Sequence, residues 1–511
     1  MKKSFMLIMC IILLSAWVGG DLLAQKKAVK PDNAIISENA KPGTTDWLLT
    51  NVPRHENEPY DAGWHRRTEI EGYVSHMSIK AKDTLRIYVS TDPAADYLIE
   101  IFRMGYYGGK GGRLMKTLTP LKGLAKGTKQ LTPVDGQYHI ANCSWKESAK
   151  LAIPEDWLSG VYIGKLSIWR DKPADAYFIF VVADDRKADL LFQVSDFTWQ
   201  SYNRWPQWRS MYDSPNNPWG SRRADTYAAG FDRPYAIFWN GYPAGFEPLS
   251  NGSGEFLMTE FPLAYWLEKE GYDISYISQM DVHESVNSLL RGKVYLSVGH
   301  DEYLTEECYL NILKARDEGV NLAFLCGNSV SGRVELVPGA DGKPNRGMHY
   351  IGHVTGNVDE VELMGSTSYG VGMGDWICTK PEHWIYAGTG MKQGDIIPQL
   401  VGWEFHGPPL AEQHKDLEVI SEGPVTGYTG TPGRRPRTYA STIYSAPKGN
   451  LVFNAGTCWW NKVLSSPPGY INPPFINHFK DGDARIQRIT KNVLDKMISI
   501  QIKPSGKPID K

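Results

Sequence analysis

Apolar positions change their spacing partway along the chain. Between residues 47 and 184, short stretches in which apolar and polar residues alternate are separated by turn signals, as at 85–89, 97–102, 160–167 and 177–182. Alternation of this kind is typical of strands that bury one face. Several such strands at regular spacing predict a β-sandwich of the immunoglobulin or fibronectin type over residues 47–184.

From residue 185 onwards, compact apolar runs alternate with stretches of helical spacing. This pattern predicts strands at 190–194, 273–278, 294–298, 321–326 and 451–455, and helices at 261–270, 286–290, 305–318 and 483–497. Strands that alternate with helices predict a parallel sheet with right-handed crossovers. The expected fold class is therefore α/β over residues 185–500, preceded by the N-terminal β-sandwich. The Gly- and Pro-rich stretch 330–450 predicts no clear element.

The two ends of the chain carry other signals. Two lysines and a short apolar run at 5–14 are followed by small residues, which is typical of a secretory signal peptide over residues 1–24. The apolar run is shorter than the roughly 20 residues that span a bilayer. The expected location is therefore the periplasm or the extracellular space. Residues 25–46 are predicted to be a linker and 501–511 a tail.

Composition narrows the class of partner. A net charge of −2 and a pI near 6.6 give no general attraction to nucleic acid or to anionic membrane. Beyond the signal segment the chain holds an odd number of cysteines, so at least one is free or pairs between chains. No Cys/His metal spacing is present. The glycine-rich stretch 108–112 is interpreted as a hairpin turn, because no helix with a phosphate-loop Lys-Ser/Thr follows it.

The most informative residues follow the predicted strand 294–298. His300, Asp301 and Glu302 lie where this strand turns towards a helix. Asn328 follows the next strand, and Tyr202 follows strand 190–194. Because consecutive parallel strands deliver their loops to one edge of a sheet, these side chains are expected to converge. Simpler roles remain open: a loop hydrogen bond for the histidine, helix-terminus charges for the carboxylates, and ordinary packing for the tyrosine.

Several stretches resemble one enzyme family. The region 196–460 resembles the catalytic domain of the large subunit of the N,N-dimethylformamidase family, and the preceding part resembles the sandwich of its exported relatives. The matching stretches are 70–73 (IEGY), 101–109 (IFRMGYYGG), 153–162 (IPEDWLSGVY), 198–203 (TWQSYN), 232–235 (DRPY), 266–272 (WLEKEGY), 299–303 (GHDEY), 325–328 (LCGN) and 401–404 (VGWE).

The resemblance implies a fold similar to that of class I glutamine amidotransferases and a mononuclear, non-haem iron. The family binds this iron through two tyrosines and one glutamate, which map onto Tyr202, Tyr235 and Glu302, with Tyr242 as the alternative second tyrosine. Phenolate and carboxylate are hard oxygen donors that suit a highly charged iron.

The family's catalytic residues map onto His300, Asn328 and Glu404. Formamidase members often have proline at the position of Asp301, a difference that leaves the metal ligand in place and bears on the substrate pocket. The family's enzyme also works with a small second subunit, which this chain does not visibly encode.

These observations predict an exported, iron-dependent hydrolase of the amide C–N bond in a small molecule. Neither nucleic acid nor membrane is an expected partner, and the oligomeric state stays open. The alternative is a non-catalytic or glycan-directed surface or periplasmic binding protein that kept the fold and lost the metal. Its 17 Trp and 27 Tyr residues would then serve recognition.

Overall fold

The structure is a computed structural model that describes most of the chain. The described residues are 33–53, 66–118, 125–131, 139–169, 172–207, 209–211, 228–237, 239–240, 245–246, 248–339, 341–353, 359–430 and 437–501. The predicted signal peptide, the residues after 501 and Tyr242 lie outside them.

The first part of the chain forms a short helix and two facing sheets. Its elements are α1 (Ala34–Asn39), β1 (Glu71–Val74), β2 (Ser78–Lys80), β3 (Thr84–Ser90), β4 (Asp96–Met104), β5 (Gly112–Thr117), β6 (Ala125–Lys126), β7 (Ala149–Ala152), β8 (Gly160–Ile168) and β9 (Ala174–Ala183). One sheet has the order β1-β3-β7, and the other has the order β2-β9-β8-β4-β5, with β6 paired to β4.

The larger of these sheets is buried on both faces. Tyr162 and Phe180 pack towards the β1-β3-β7 sheet, whereas Ile163 and Ile179 pack into the core of the following α/β part. Every residue of β9 is buried for this reason. The sandwich and the α/β part therefore share one core and are not separated by a linker.

The α/β part is built around a largely parallel sheet. Its elements are β10 (Ala188–Val194), α2 (Asp196–Tyr202), α3 (Phe261–Lys269), β14 (Ile274–Ser278), α4 (Gln279–Glu284), α5 (Asn287–Leu290), β15 (Gly292–Val298), α6 (Glu306–Asp317), β17 (Asn321–Leu325), β26 (Leu451–Asn454) and α8 (Ala484–Ser499). The sheet has the order β14-β10-β15-β17-β26, in which every neighbouring pair is parallel. Two antiparallel strands, β25 (Thr438–Ser445) and β23 (Glu418–Pro424), extend one edge.

Both faces of this sheet are covered. Leu190 and Phe192 point into one apolar core together with α3 and α8, and Leu191 points into a second core together with α6. Strands buried on both faces are continuous apolar runs, which is why the sequence predicted them well. Thr305 caps α6 as expected, because its hydroxyl accepts from the backbone N–H of Cys308.

The remaining strands form smaller sheets. They are β11 (Ala228–Gly230), β12 (Trp239–Asn240), β13 (Gly245–Phe246), β16 (Tyr303–Leu304), β18 (Gly332–Val337), β19 (Gly347–His353), β20 (Thr367–Ile377), β21 (Ile396–Val401), β22 (Glu404–Gly407) and β24 (Thr426–Gly430), with helix α7 (Glu360–Met364) among them. Much of the stretch 330–450 is thus β-structure. Its strands carry many glycines and bulges, which hid the alternation in the sequence.

The segment expected to be a linker is in part a folded element. Within residues 25–46, α1 buries Ile35, and the side chain of Asn39 donates to Glu268 of α3. Docking of this helix corrects the prediction, because a short polar sequence gives no sign of a tertiary partner.

The structure also bears on the predicted hairpin turn, the cysteines and a possible membrane helix. Strands β4 and β5 pair antiparallel on either side of residues 105–111, which confirms the hairpin turn. All five described cysteines are free: Cys143, Cys308, Cys326, Cys378 and Cys458. Within the described residues, no helix is long and apolar enough to cross a membrane.

Candidate metal and acid–base site

The order of the parallel strands places a crevice between β10 and β15. The chain runs from β10 to β14 on one side and then returns to β15 on the other, so the direction of winding reverses between them. Ligands of open α/β sheets bind at such a point, outside the carboxyl ends of the strands. Helix α2, which ends at Tyr202, follows β10, and residues 299–302 follow β15. This topology brings together residues that lie about 100 positions apart.

Helix α2 fixes the loop after β15 directly. The hydroxyl of Thr198 accepts from the backbone N–H groups of Glu302 and Tyr303, at 3.0 and 3.2 Å. Gly299 has a φ of +69°, and a Cβ there would lie 2.5 Å from Cγ of Glu260. A side chain at position 299 would therefore be strained in both backbone and space.

His300 lies at the centre of the site. It is 1% exposed, and three carboxylates approach its ring. Nε2 is 2.8 Å from Oε2 of Glu404 and 3.3 Å from Oε2 of Glu302, whereas Nδ1 is 3.6 Å from Oε2 of Glu255. None of these contacts is aligned as a hydrogen bond within the described part of the chain. The ring also meets Trp403 edge-on, with centroids 4.9 Å apart.

Burial and neighbouring charges shift the pKa values of His300 and Glu404. Burial disfavours a charged imidazole, but the pKa of His300 is raised well above its ordinary value because Glu404, Glu255 and Glu302 surround it. Burial raises the pKa of Glu404, which His300 partly offsets. His300 therefore favours its protonated form, and the Glu404 carboxylate, 2.8 Å from Nε2, is the group of the two that can accept a further proton.

Tyr202 and Glu302 are in direct contact. The phenol of Tyr202 donates to Oε2 of Glu302 at 2.7 Å, and its ring lies 5.1 Å from that of His300. Tyr235 lines the same small cavity as Tyr202 and Glu255. Burial, with Asp196, raises the pKa of Tyr235, and the side chain of Gln200 hydrogen-bonds to it. The structure therefore places Tyr235 and Tyr202 on one small cavity, with Tyr235 hydrogen-bonded to Gln200.

The remaining predicted residues come from two loops at the same sheet edge. Asn328 follows β17, the parallel neighbour of β15, and has a φ of +56°. Gly327 before it packs closely against Glu404, since a Cβ at position 327 would lie 2.3 Å from the carbonyl oxygen of Glu404. Asn328 thus follows a residue in contact with the glutamate that approaches His300.

Asp301 faces a different set of partners. Its carboxylate accepts from Ser297 at 2.6 Å and from Gln193 and Gln279, each at 3.0 Å. Burial raises its pKa to about 6, although the hydrogen bonds from Ser297 and Gln193 and the charge of His300 act to lower it. Asp301 therefore ties the loop to the ends of β10 and β15.

Two members of the site were not found from the sequence. Glu255 lies far from any predicted strand end, and Cys458 follows β26 at the same sheet edge. The thiol of Cys458 donates to the carbonyl of Gly327 at 3.3 Å and lies 4.0 Å from Oε2 of Glu404. A Cys after the strand at 451–455 was visible in the sequence, whereas nothing there points to Glu255.

The donors of the site fit a metal ion. One atom each from His300, Glu404 and Cys458 lie within 4.8 Å of one another. Within the described residues, neither ring nitrogen of His300 and neither oxygen of Glu255 has an aligned hydrogen-bond partner. Buried polar atoms without partners are costly, and a cation would compensate several carboxylates gathered around one imidazole. The hard oxygen donor Glu302, which accepts from the phenol of Tyr202, approaches the same ring nitrogen of His300 as Glu404 does.

A larger cavity of about 400 Å³ lies between the sandwich and α2 and also touches Tyr235. Two of its charged lining residues are already engaged: Arg233 donates to the backbone of Gly230 and Trp205, and Asp196 accepts from the N–H of Gln279. The buried cluster around His300 is therefore the stronger candidate for chemistry.

Comparison with known proteins identifies the family of this chain. None of the curated proteins compared with the chain matches it. A family model described as N,N-dimethylformamidase beta subunit-like, C-terminal, matches residues 98–472, which include every site residue named above. This match begins within β4, so it covers part of the sandwich as well as the α/β part. The chain belongs to the N,N-dimethylformamidase beta subunit-like family.

Proposed function

We propose that this protein is an exported, iron-dependent hydrolase of the amide C–N bond in small molecules. The observation that carries the proposal is the hydrogen-bonded pair of Tyr202 and Glu302 beside the 2.8 Å contact between His300 and Glu404. Family membership supports amide chemistry. Export is supported by the sequence of residues 1–24, and the cleaved N-terminus of the secreted protein tests it.

Tyr202 and Glu302 would hold the iron, with Tyr235 or Tyr242 as a third donor. A bound iron supplies Lewis acidity towards a carbonyl oxygen and towards water. The phenol of Tyr202 must lose its proton to bind, which a cation at that point favours.

The acid–base work falls to His300 and Glu404. As water adds to the amide carbon, this pair takes up the proton that the water loses. As the C–N bond breaks, His300 returns a proton to the departing nitrogen, so that a carboxylic acid and an amine result. The amide of Asn328 would orient the substrate carbonyl. Trp403 packs against the imidazole and limits its rotation.

Metal content and turnover measured on the same variants test these roles. The purified protein is expected to hold about one iron per chain, with a coloured tyrosinate-to-iron band. Glu302→Gln should lose the iron and the activity, because a neutral amide binds a hard cation poorly. His300→Ala should keep the iron and lose about 10²- to 10⁴-fold in kcat.

Glu260→Gln is a matched control. Its carboxyl is buried nearby, but it accepts from the N–H of Ser195 and from the indole of Trp199. It should keep both iron and turnover. Protein that stays colourless and metal-free after reconstitution, or full iron in Glu302→Gln, would refute the proposal and favour a binding protein without a metal.

A further inference from the structure

The carboxylate of Glu255 approaches Nδ1 of His300, whereas Glu404 and Glu302 approach the other ring nitrogen. Its Oε2 lies 3.6 Å from Nδ1, whereas the oxygens of Glu404 and Glu302 approach Nε2. Glu255 is 1% exposed, and among the described residues neither of its oxygens has an aligned hydrogen-bond partner. A buried carboxylate in this condition is destabilising, which favours a functional reason for its position.

The backbone holds Glu255 in place. Gly254 before it has a φ of +58°, and a Cβ there would lie 2.7 Å from the indole of Trp199. Glu255 then precedes a π-helical turn, Phe256–Glu260, that leads into α3. Turns of this kind are frequent at functional sites. Close packing on α2 therefore fixes the direction in which this carboxylate points.

We propose that Glu255 is a positioning residue for His300. The Glu255 carboxylate accepts the Nδ1 hydrogen of the imidazole and so keeps Nε2 facing Glu404. The 3.6 Å separation is longer than a hydrogen bond, and a movement of about 0.7 Å closes it. Histidines that transfer protons through one nitrogen are commonly oriented through the other. The kinetic consequence rests on the proposed amide hydrolysis, whereas the hydrogen bond itself does not.

A double-mutant cycle tests whether Glu255 acts through His300. Glu255→Gln is expected to lower kcat about 10²-fold, with little change in KM and with full iron content. In the His300→Ala background the same change should cost almost nothing more, because the group that it orients is already gone. Glu260→Gln, in the π-helical turn that follows, should leave kcat near that of the wild type.

One kinetic result and one measurement of iron content would each overturn the proposal. If the fold-decreases in kcat caused by Glu255→Gln and by His300→Ala multiply in the double variant, Glu255 acts independently of the histidine. Loss of iron from Glu255→Gln would make it a ligand or a structural residue instead.

A second measurement needs no activity. In protein labelled with ¹⁵N-histidine and freed of iron, the Nδ1 hydrogen of His300 is expected as a downfield imidazole resonance that His300→Ala removes. Glu255→Gln should move it upfield, because a neutral amide oxygen accepts a weaker bond than a carboxylate does. Glu260→Gln should not move it. A resonance unchanged in Glu255→Gln would refute the positioning role, whereas absent iron and turnover would refute only the proposed function.

Discussion

Neighbouring acidic residues of this chain serve different purposes according to their partners. Glu302 receives a phenol hydrogen bond and approaches His300, whereas Asp301 next to it is tied to Ser297 and two glutamines. Asp196 at the start of α2 is a third case. It is 4% exposed and accepts from the N–H of Gln279 at 2.8 Å. Burial, with Asp281 and Asp301, raises the pKa of Asp196 to about 8.

This raised pKa predicts a pH-dependent stability. The native protein keeps Asp196 protonated up to about pH 8, whereas the unfolded chain ionises it near pH 4. The contribution of Asp196 is therefore fully present below about pH 4 and is lost as the pH rises to about 8. Asn at this position keeps the acceptor oxygen and cannot ionise. In urea unfolding, the free energy of unfolding of Asp196→Asn should rise relative to that of the wild type by about 1 kcal/mol per pH unit between pH 5 and 8. A difference that stays constant across this range would contradict the assignment.

At the scale of elements, one hydroxyl links α2 to the loop after β15. Thr198 accepts two backbone N–H groups, those of Glu302 and Tyr303, in a fully buried position. The position of the Glu302 carboxylate therefore depends on a helix that is far away in sequence.

Thr198→Val tests this link with little change in volume. It should lower the free energy of unfolding by about 2 kcal/mol, because two buried N–H groups lose their acceptor. It should also weaken iron retention, since Glu302 is no longer held. Thr198→Ser keeps the hydroxyl and should stay close to the wild type in both measurements. Equal behaviour of the Val and Ser variants would show that the hydroxyl is unimportant.

At the scale of the molecule, a buried ion pair joins the sandwich to the α/β part. Arg103 of β4 donates to Glu268 of α3 through two bonds of 2.8 and 3.1 Å, and both side chains are fully buried. Glu268 also accepts from Tyr276 and from Asn39 of α1. The pair thus connects three separate parts of the chain.

Breaking this pair should destabilise the molecule as a whole. Arg103→Met leaves the carboxylate of Glu268 buried without its cation and should cost about 3 to 5 kcal/mol. Arg103→Met combined with Glu268→Leu should recover much of the loss. Lys80→Ala, in the exposed pair with Asp185, should cost less than about 1 kcal/mol.

Because the two parts share a core, thermal unfolding of the wild type should show a single transition in the calorimeter. Two well-separated transitions would argue against the shared core.

Local pattern was sufficient where an element buries a continuous or periodic apolar face. Strands 190–194, 294–298 and 321–326 and the helix after Thr305 were predictable, because burial on both sheet faces leaves apolar runs in the sequence. The order of these elements also predicted that His300 and Asn328 follow adjacent parallel strands, which is the arrangement found. The family's motif pattern pointed to Tyr202 and Glu302, which are in contact.

Only the tertiary structure decided which side chains meet. Glu255 enters the site from a π-helical turn, α1 docks on α3, and the sandwich buries a second face, and none of these has a local periodic signal. The roles of Asp301 and Glu302 also differ only through partners on other elements. By itself the sequence determined the α/β class, the parallel core strands with their order along the chain, and most of the candidate residues. Their distances, their protonation and the membership of Glu255 and Cys458 depend on contacts between residues tens to hundreds of positions apart, which no local pattern encodes.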